Sequence, residues 1–340
     1  MSTSPQTQAP TPAIVFETLN AYQRTNALRA AIELDLFSAI GEGNKSVPAI
    51  AARISGSEKG TRALCDFLTV LGFLTKQDGQ YGLSPESAAF LNRHSPAYIG
   101  TSAAFLGDPR VTGGFSDIAA LVRKGSTLTR EGGEVESNNP IWIEFARSMA
   151  PLMAMPAELL AKLISAGSTH PWKVLDIAAG HGIFGITVAR HNPNAQVVAA
   201  DWAPVLSVAQ ENAAKAGVAN RFSIIPGSAL EVDLGSGYDL VVIANFLQLL
   251  DVASIRTLLR KVHAALAPGG RVVTLGFIPN EDRVSPPGDA IFGLMALGMT
   301  ADGDAYTFGE YERMLREAGF SRSELDQLRP MPQRIIVSYK

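Results

Sequence analysis

The run Asp176-Ile177-Ala178-Ala179-Gly180-His181-Gly182-Ile183-Phe184-Gly185 decides how the second half of the chain folds. It closes a short β-rich stretch (residues 174–178) and opens an amphipathic helical pattern (183–190), so its glycines fall in a strand-to-helix turn. Glycine there lets the backbone turn tightly and approach a ligand with no Cβ in the way. Outward from this point, β-rich runs at 196–200, 222–225, 238–244 and 270–277 alternate with helical patterns at 204–216 and 252–266, the last closing on Pro268-Gly269-Gly270. A helix at 308–318 and strand-like runs at 323–328 and 333–339 follow. Near-continuous apolar strands alternating with helices predict an α/β fold, a doubly wound and mostly parallel sheet covered on both faces.

Upstream the pattern differs. Val15, Leu19, Leu28, Ile32 and Phe37 fall at helical steps across 13–40. Helices at 47–54 and 61–71 flank Ser55-Gly56-Ser57, and extended runs at 73–77 and 80–83 flank Asp78-Gly79, a strong hairpin signal. Two helices and a hairpin predict a winged helix. Its second helix offers only Lys59 and Arg62 as cations, offset by Asp66, and is otherwise apolar through Leu64, Phe67, Leu68 and Leu71. A phosphate-contacting helix needs more basic charge, so this domain is expected to pack, as a homodimer, and not to bind nucleic acid. The expected divisions are a frayed tail at 1–12, the winged-helix dimerisation domain at 13–100, connecting helices at 101–155 (one at 115–123, and the start of one at 142–164) and the α/β domain at 156–340.

Composition bounds the rest. The chain has 340 residues, enough for about two domains, with 46% hydrophobic and 18% charged residues and a formal net charge of −3, which excludes global disorder and gives no electrostatic reason for a polyanionic partner. A single cysteine, Cys65, excludes an intramolecular disulfide framework and fits a cytoplasmic address. Residues 1–12 lack a basic start and an apolar core, so no signal peptide is expected, and the apolar run 292–299 falls short of the roughly 20 residues that span a bilayer. No metal-ligand spacing, Walker loop or nucleophile elbow is present, so no metal is expected.

Gly180, Gly182 and Gly185 fit a dinucleotide fingerprint, with Asp201 placed to hold a ribose. Asp176 separates the readings. A carboxylate in the strand before the loop would repel a pyrophosphate but suits a cofactor carrying an ammonium and a sulfonium, such as S-adenosylmethionine. At these residues the sequence resembles class I S-adenosylmethionine-dependent methyltransferases, and more narrowly the small-molecule O-methyltransferases of plant and bacterial secondary metabolism, which include the hydroxyindole and caffeate types.

The resemblance implies a winged-helix dimerisation domain followed by a Rossmann-like catalytic domain. It implies S-adenosyl-L-methionine as methyl donor, S-adenosyl-L-homocysteine as product and a small aromatic or polyketide-like substrate. On this resemblance Asp176, Gly180 and Gly182 cradle the methionine part, and Asp201 with Trp202 forms the ribose and adenine edge. Gly227 and Ser228 stand where the family has Gly-Asp, with Ala229 and Asn245 in the same cofactor set. The family's catalytic histidine aligns with Gln248 and its two glutamates with Gly276 and Ala305. Glutamine has no useful pKa near neutrality, so Gln248 is expected to orient the substrate while proximity drives the transfer. Tyr306 and His181 are the other groups placed to serve. The family's substrate wall aligns with Phe145, Met149, Met153, Phe246, Leu249, Phe292, Met295 and Met299. The accepting atom (O, N or C) stays open, as do an S-adenosylmethionine binder that does not methylate, an NAD-dependent oxidoreductase and a metabolite-sensing winged-helix regulator.

Overall fold

The computed structural model describes residues 10–128 and 140–340, and the chain divides into two units, Met1–Ala103 and Ala104–Lys340. In the first, α1 (Ala13–Leu19), α2 (Ala21–Glu33) and α3 (Leu36–Gly41) precede α4 (Val47–Arg53) and α5 (Glu58–Val70). Serine oxygens start the last two: Ser46 accepts from Ala49 N–H and Ser57 from Gly60 N–H. Asp78 and Gly79 both adopt positive φ, 50° and 76°, which is what a two-residue hairpin turn requires, so β1 (Leu74–Gln77) pairs with β2 (Gln80–Leu83) in the register Gln77 to Gln80. α6 (Pro85–Phe90) follows. Leu36, Phe37, Ile50, Leu68 and Tyr81 form the core. The expected helix-turn-helix and wing are present, and Arg62 and Lys76 are engaged internally, since Asp66 pairs with Lys76 at 2.5 Å and Arg62 at 3.4 Å and accepts from the Tyr81 hydroxyl at 2.6 Å. α1 is different: Ile14, Phe16 and Leu19 are 61–72% exposed.

The second unit is built on a seven-stranded sheet. Three short helices, α7 (Ser102–Leu106), α8 (Pro109–Gly113) and α9 (Ile118–Lys124), lead to α10 (Ile141–Leu163). Then come β3 (Lys173–Ile177), α11 (Ile183–His191), β4 (Gln196–Asp201), α12 (Ala203–Lys215), β5 (Phe222–Pro226), β6 (Tyr238–Ala244), α13 (Val252–Ala265), β7 (Leu266–Gly276), α14 (Pro287–Ala290), α15 (Phe292–Met299), α16 (Phe308–Glu317), β8 (Arg322–Gln327) and β9 (Arg334–Tyr339). The strand order is β5-β4-β3-β6-β7-β9-β8, parallel through β7 and antiparallel at β9 and β8. Strand side chains alternate between faces. Val174, Leu240 and Val242 join Leu160, Phe184 and Val188 on one face, while Leu175, Val241 and Ile243 join Ile255, Leu258, Leu259 and Met314 on the other. Each such burial is worth about 1.5–3 kcal/mol, which is why both faces must be covered.

Three local expectations shift. The helix expected at 115–123 is α9, which starts at Ile118 because the Asp117 carboxylate accepts from Ala120 N–H at 2.9 Å. The connecting region's residues 129–139 and the tail's residues 1–9 lie outside the described residues. The helix expected at 252–266 is α13, which ends at Ala265, ahead of Pro268-Gly269-Gly270; those three residues are then carried in β7, within a register irregularity against Tyr238 and Leu240. Gly270 is needed there, since a Cβ would lie 2.8 Å from the Tyr238 carbonyl and 2.9 Å from that of Ala267. Gly270→Ala should cost about 1–3 kcal/mol of stability by denaturant unfolding; an unchanged midpoint would refute this packing.

Candidate active site

β3 and β6 are neighbours, yet the chain leaves β3 toward β4 and β6 toward β7, in opposite directions. Such a switch point opens a crevice at the strands' carboxyl ends. Both strands end there in left-handed backbone: Ala178 has φ 52° and Asn245 φ 54°. Neither is glycine, and strain of about 1–3 kcal/mol each persists only where the surroundings enforce it. Gly180 and Gly182 adopt positive φ as well, and Gly182 lies so near α12 that a Cβ would be 2.9 Å from Ala209 Cβ.

Two carboxyls line this turn. Asp176 is buried and accepts from Gly185 N–H at 2.9 Å. Burial, against that hydrogen bond and aided by the Asp201 charge, pushes its carboxyl up to about 7. Asp201, at the end of β4, accepts from Gly180 N–H and Trp202 N–H, both at 2.7 Å, and burial raises it too. Paired acids with this much desolvation are complemented by a cation and by hydroxyl donors. Asn245 adds an acceptor, for its Oδ1 is buried without a partner while its Nδ2 reaches Met153 Sδ at 3.7 Å. His181 sits between the glycines, buried, with Nδ1 accepting from Ile183 N–H at 3.2 Å; desolvation lowers it to about 4, so it is neutral.

α10 brings the apolar wall to this loop. Phe145 stacks on His181 at 6.0 Å and faces Gly180, and Met153 meets Asn245, whereas Met149 packs into the core with Met153. Beyond β5, Gly227 N–H donates to the Asp201 carbonyl at 2.8 Å, and a Cβ on Gly227 would meet Val232 Cγ1 at 2.5 Å. Ser228 Oγ accepts from Leu230 N–H at 3.3 Å, and Ala229 is buried. Lys261 escaped the sequence reading: its Nζ donates to the carbonyls of Ala229, Leu230 and Val232 at 2.8–3.0 Å and so clamps the Ser228 loop. A lysine on an amphipathic helix carries no such signal, because it reads as solvated.

A second group forms at the end of β7. Gln248 is buried and its Oε1 accepts from Phe277 N–H at 3.1 Å; Phe277 stacks on Phe292 at 4.8 Å, and Leu249 packs with both. Phe246 packs half-buried against the α13 face, Met299 against the α10 face, and Met295 is exposed, joined to neither group. The Tyr306 hydroxyl donates to the Leu250 carbonyl at 2.8 Å and burial pushes it up to about 12, so at neutral pH it is a fixed donor holding the Gln248 turn.

Two family models match this chain, an O-methyltransferase dimerisation domain over residues 16–93 and a methyltransferase domain over 175–272. The crystal structure of a candidate O-methyltransferase from Nostoc punctiforme is 50% identical, covering 98% of this chain and 100% of that one, with a TM-score of 0.93. The chain belongs to the O-methyltransferase family. A 3-hydroxy-5-methyl-1-naphthoate 3-O-methyltransferase from Streptomyces sahachiroi is 26% identical over 91% of this chain and 90% of that protein. Human N-acetylserotonin methyltransferase, solved with S-adenosylmethionine, shares the fold at 20% identity and a TM-score of 0.83, covering 99% of each chain. As in the family, S-adenosylmethionine is the methyl donor, and the residues fit it: a buried acid at Asp176, a half-buried one at Asp201, glycines at positive φ and an orphaned Asn245 Oδ1. The oxidoreductase and regulator alternatives find no support. Among the described residues no side-chain cluster could hold a metal ion and no helix is long and apolar enough to cross a membrane.

A Cβ on residue 185 would come within 2.9 Å of Asp176 Oδ2 and 2.8 Å of Val197 Cγ1. Gly185→Ala should therefore lower Tm by several degrees and weaken S-adenosylhomocysteine binding in calorimetry. Wild-type affinity in that variant would show that Asp176 need not sit where it does.

Proposed function

We propose that this chain transfers the methyl group of S-adenosylmethionine to an oxygen of a small aromatic or polyketide-like molecule, as a homodimer formed through its N-terminal unit. The observation that carries it is a pair of desolvated carboxyls, Asp176 buried and Asp201 half-buried, at the ends of adjacent strands around a glycine turn. In this reading Asp176 holds the cofactor's ammonium, with Gly180 and Gly182 leaving room for its methionine part. Asp201 accepts from the ribose hydroxyls, and Trp202, Gly227, Ser228 and Ala229 border the adenine. Asn245 Oδ1 takes a remaining donor. Phe145 and Met153 beside the glycine turn, and Leu249 and Phe292 beside Gln248, wall the substrate, an apolar and adaptable set suited to a flat ring; Met149, Phe246, Met295 and Met299 lie outside these two groups. The naphthoate specificity of the Streptomyces relative supports an aromatic acceptor.

The matched dimerisation model supports the homodimer, as do the exposed apolar side chains of α1. Replacing both Phe16 and Leu19 by Glu should shift the mass measured by light scattering from dimer to monomer; a dimer that survives would place the interface elsewhere.

Two measurements test the cofactor reading. S-adenosylhomocysteine should raise Tm in a thermal-shift titration while NAD(H) does not, and isotope-labelled S-adenosylmethionine should label an aromatic acceptor by mass spectrometry. Stabilisation by NAD(H) alone would refute it. The pH dependence is specific to Asp176. In the ligand-free protein its proton stays on to about pH 7, whereas an unfolded chain loses it near pH 4, so this group destabilises the fold as pH rises from about 4 to about 7. A cationic ligand favours the ionised form. Affinity for S-adenosylmethionine should accordingly fall by up to about tenfold per unit below pH 7, and Asp176→Asn should flatten that slope. An equal slope in both proteins would contradict the role.

A further inference from the structure

Gln248 is a buried polar side chain held at the end of β7. Its Oε1 can accept from Phe277 N–H only because residue 276 is glycine, where a Cβ would come within 2.6 Å of that oxygen. Gly303 packs on the backbone of the same residue, where a Cβ would lie 2.5 Å from the Gln248 carbonyl, and the Tyr306 hydroxyl ties down Leu250 two residues on. With its oxygen engaged, the amide presents Nε2, which has two donors and no acceptor. Among the described residues Nε2 makes no hydrogen bond, nor is it buried as an orphan. It is therefore not fully enclosed, at the end of β7 where Phe277, whose N–H holds Oε1, stacks on Phe292.

A donor-only group cannot remove a proton from a hydroxyl. It can hold an oxygen that is already negative, and a charge-assisted hydrogen bond of this kind is about twice as strong as a neutral one. We propose that Gln248 Nε2 is a specificity-determining donor that receives the acceptor oxygen as a phenolate, so that this chain selects phenols that ionise on binding over hydroxyls needing a protein base. The proposal rests on the methyl-transfer reading above and names the substrate class at that site. The phenol's proton goes to solvent before transfer. The phenolate oxygen then bonds to the methyl carbon as the carbon–sulfur bond breaks, the electron pair stays on sulfur, and the two opposite charges cancel to give an ether and a thioether.

Three titratable groups on the elements around Gln248 are otherwise engaged, and Asp302, beside Gly303, is exposed. Tyr306 donates to Leu250 O; Asp251 caps α13 by accepting from Ser254 N–H; Asp304 pairs with Arg283 at 3.4 Å. Asp289 is buried and accepts from Ile278 N–H at 2.9 Å, with its second oxygen free. It is the rival: a carboxyl that burial raises and that would act as a base if the proposal is wrong.

The experiment titrates the protein, saturated with S-adenosylhomocysteine, with 2-naphthol and ring-halogenated naphthols, following naphtholate absorbance against pH. Bound naphthols should ionise at least about one pH unit below their free values, a tenfold change in the ionisation ratio. Gln248→Leu should remove that shift, and so should Gly276→Ala, which leaves Gln248 in place but drives Oε1 off Phe277 N–H. In turnover with S-adenosylmethionine, the pH midpoint of kcat/KM should follow each naphthol's own acidity. Naphthols bound neutral, no naphthol bound, or one midpoint shared by all would overturn the proposal, the last pointing to a protein base such as Asp289. Loss of S-adenosylhomocysteine binding itself would instead overturn the cofactor reading, and this proposal with it.

Discussion

The site depends on keeping a carboxyl at Asp176 out of water. Its strand pairs on both sides, with β4 at Ala199 and β6 at Val242, so the side chain is carried into the sheet's interior edge whatever the loop does. Desolvation there is only partly offset by a single backbone N–H, and the group keeps its proton to about pH 7. A buried acid that costs the ligand-free fold stability and is discharged by a cation is a binding device. The glycine at 185 exists for it, since any side chain would collide with its oxygen.

Around this acid the turn is over-determined. Gly182 is fixed both by φ 73° and by the approach of α12, and Gly180 is tied through its N–H to Asp201 on the next strand. Asp201 therefore couples two adjacent strand ends, and its carbonyl reaches Gly227 beyond β5, so three loops share one anchor. Lys261 clamps the last of them from α13. The other end of the crevice is organised by a second exchange of volume, in which the Gln248 amide occupies the room that a side chain at 276 would fill.

Much of this was legible in the sequence because it is local. The strand–glycine–helix run from Asp176 to Gly185, the alternating apolar strands and the Asp78-Gly79 hairpin all follow from short-range sterics and periodicity. What was not legible is long-range. Lys261 and Tyr306 gain their partners 29 to 32 and 56 residues away, so neither reads as a loop clamp. Pro268-Gly269-Gly270 reads as a helix stop, but not as part of a strand, and the pairing of Leu266 with Tyr238 is what draws it into β7. The resemblance implies that Gln248 stands at the base position; only the Phe277 N–H shows which end of its amide is engaged.

The most direct measurement is a crystal structure with S-adenosylhomocysteine. The account predicts its amino group hydrogen-bonded at the Asp176 end of the glycine turn, both ribose hydroxyls on Asp201 and the Asn245 Oδ1 partnered. A ligand seated away from Asp176, or ribose hydroxyls that leave Asp201 bonded to backbone alone, would contradict it.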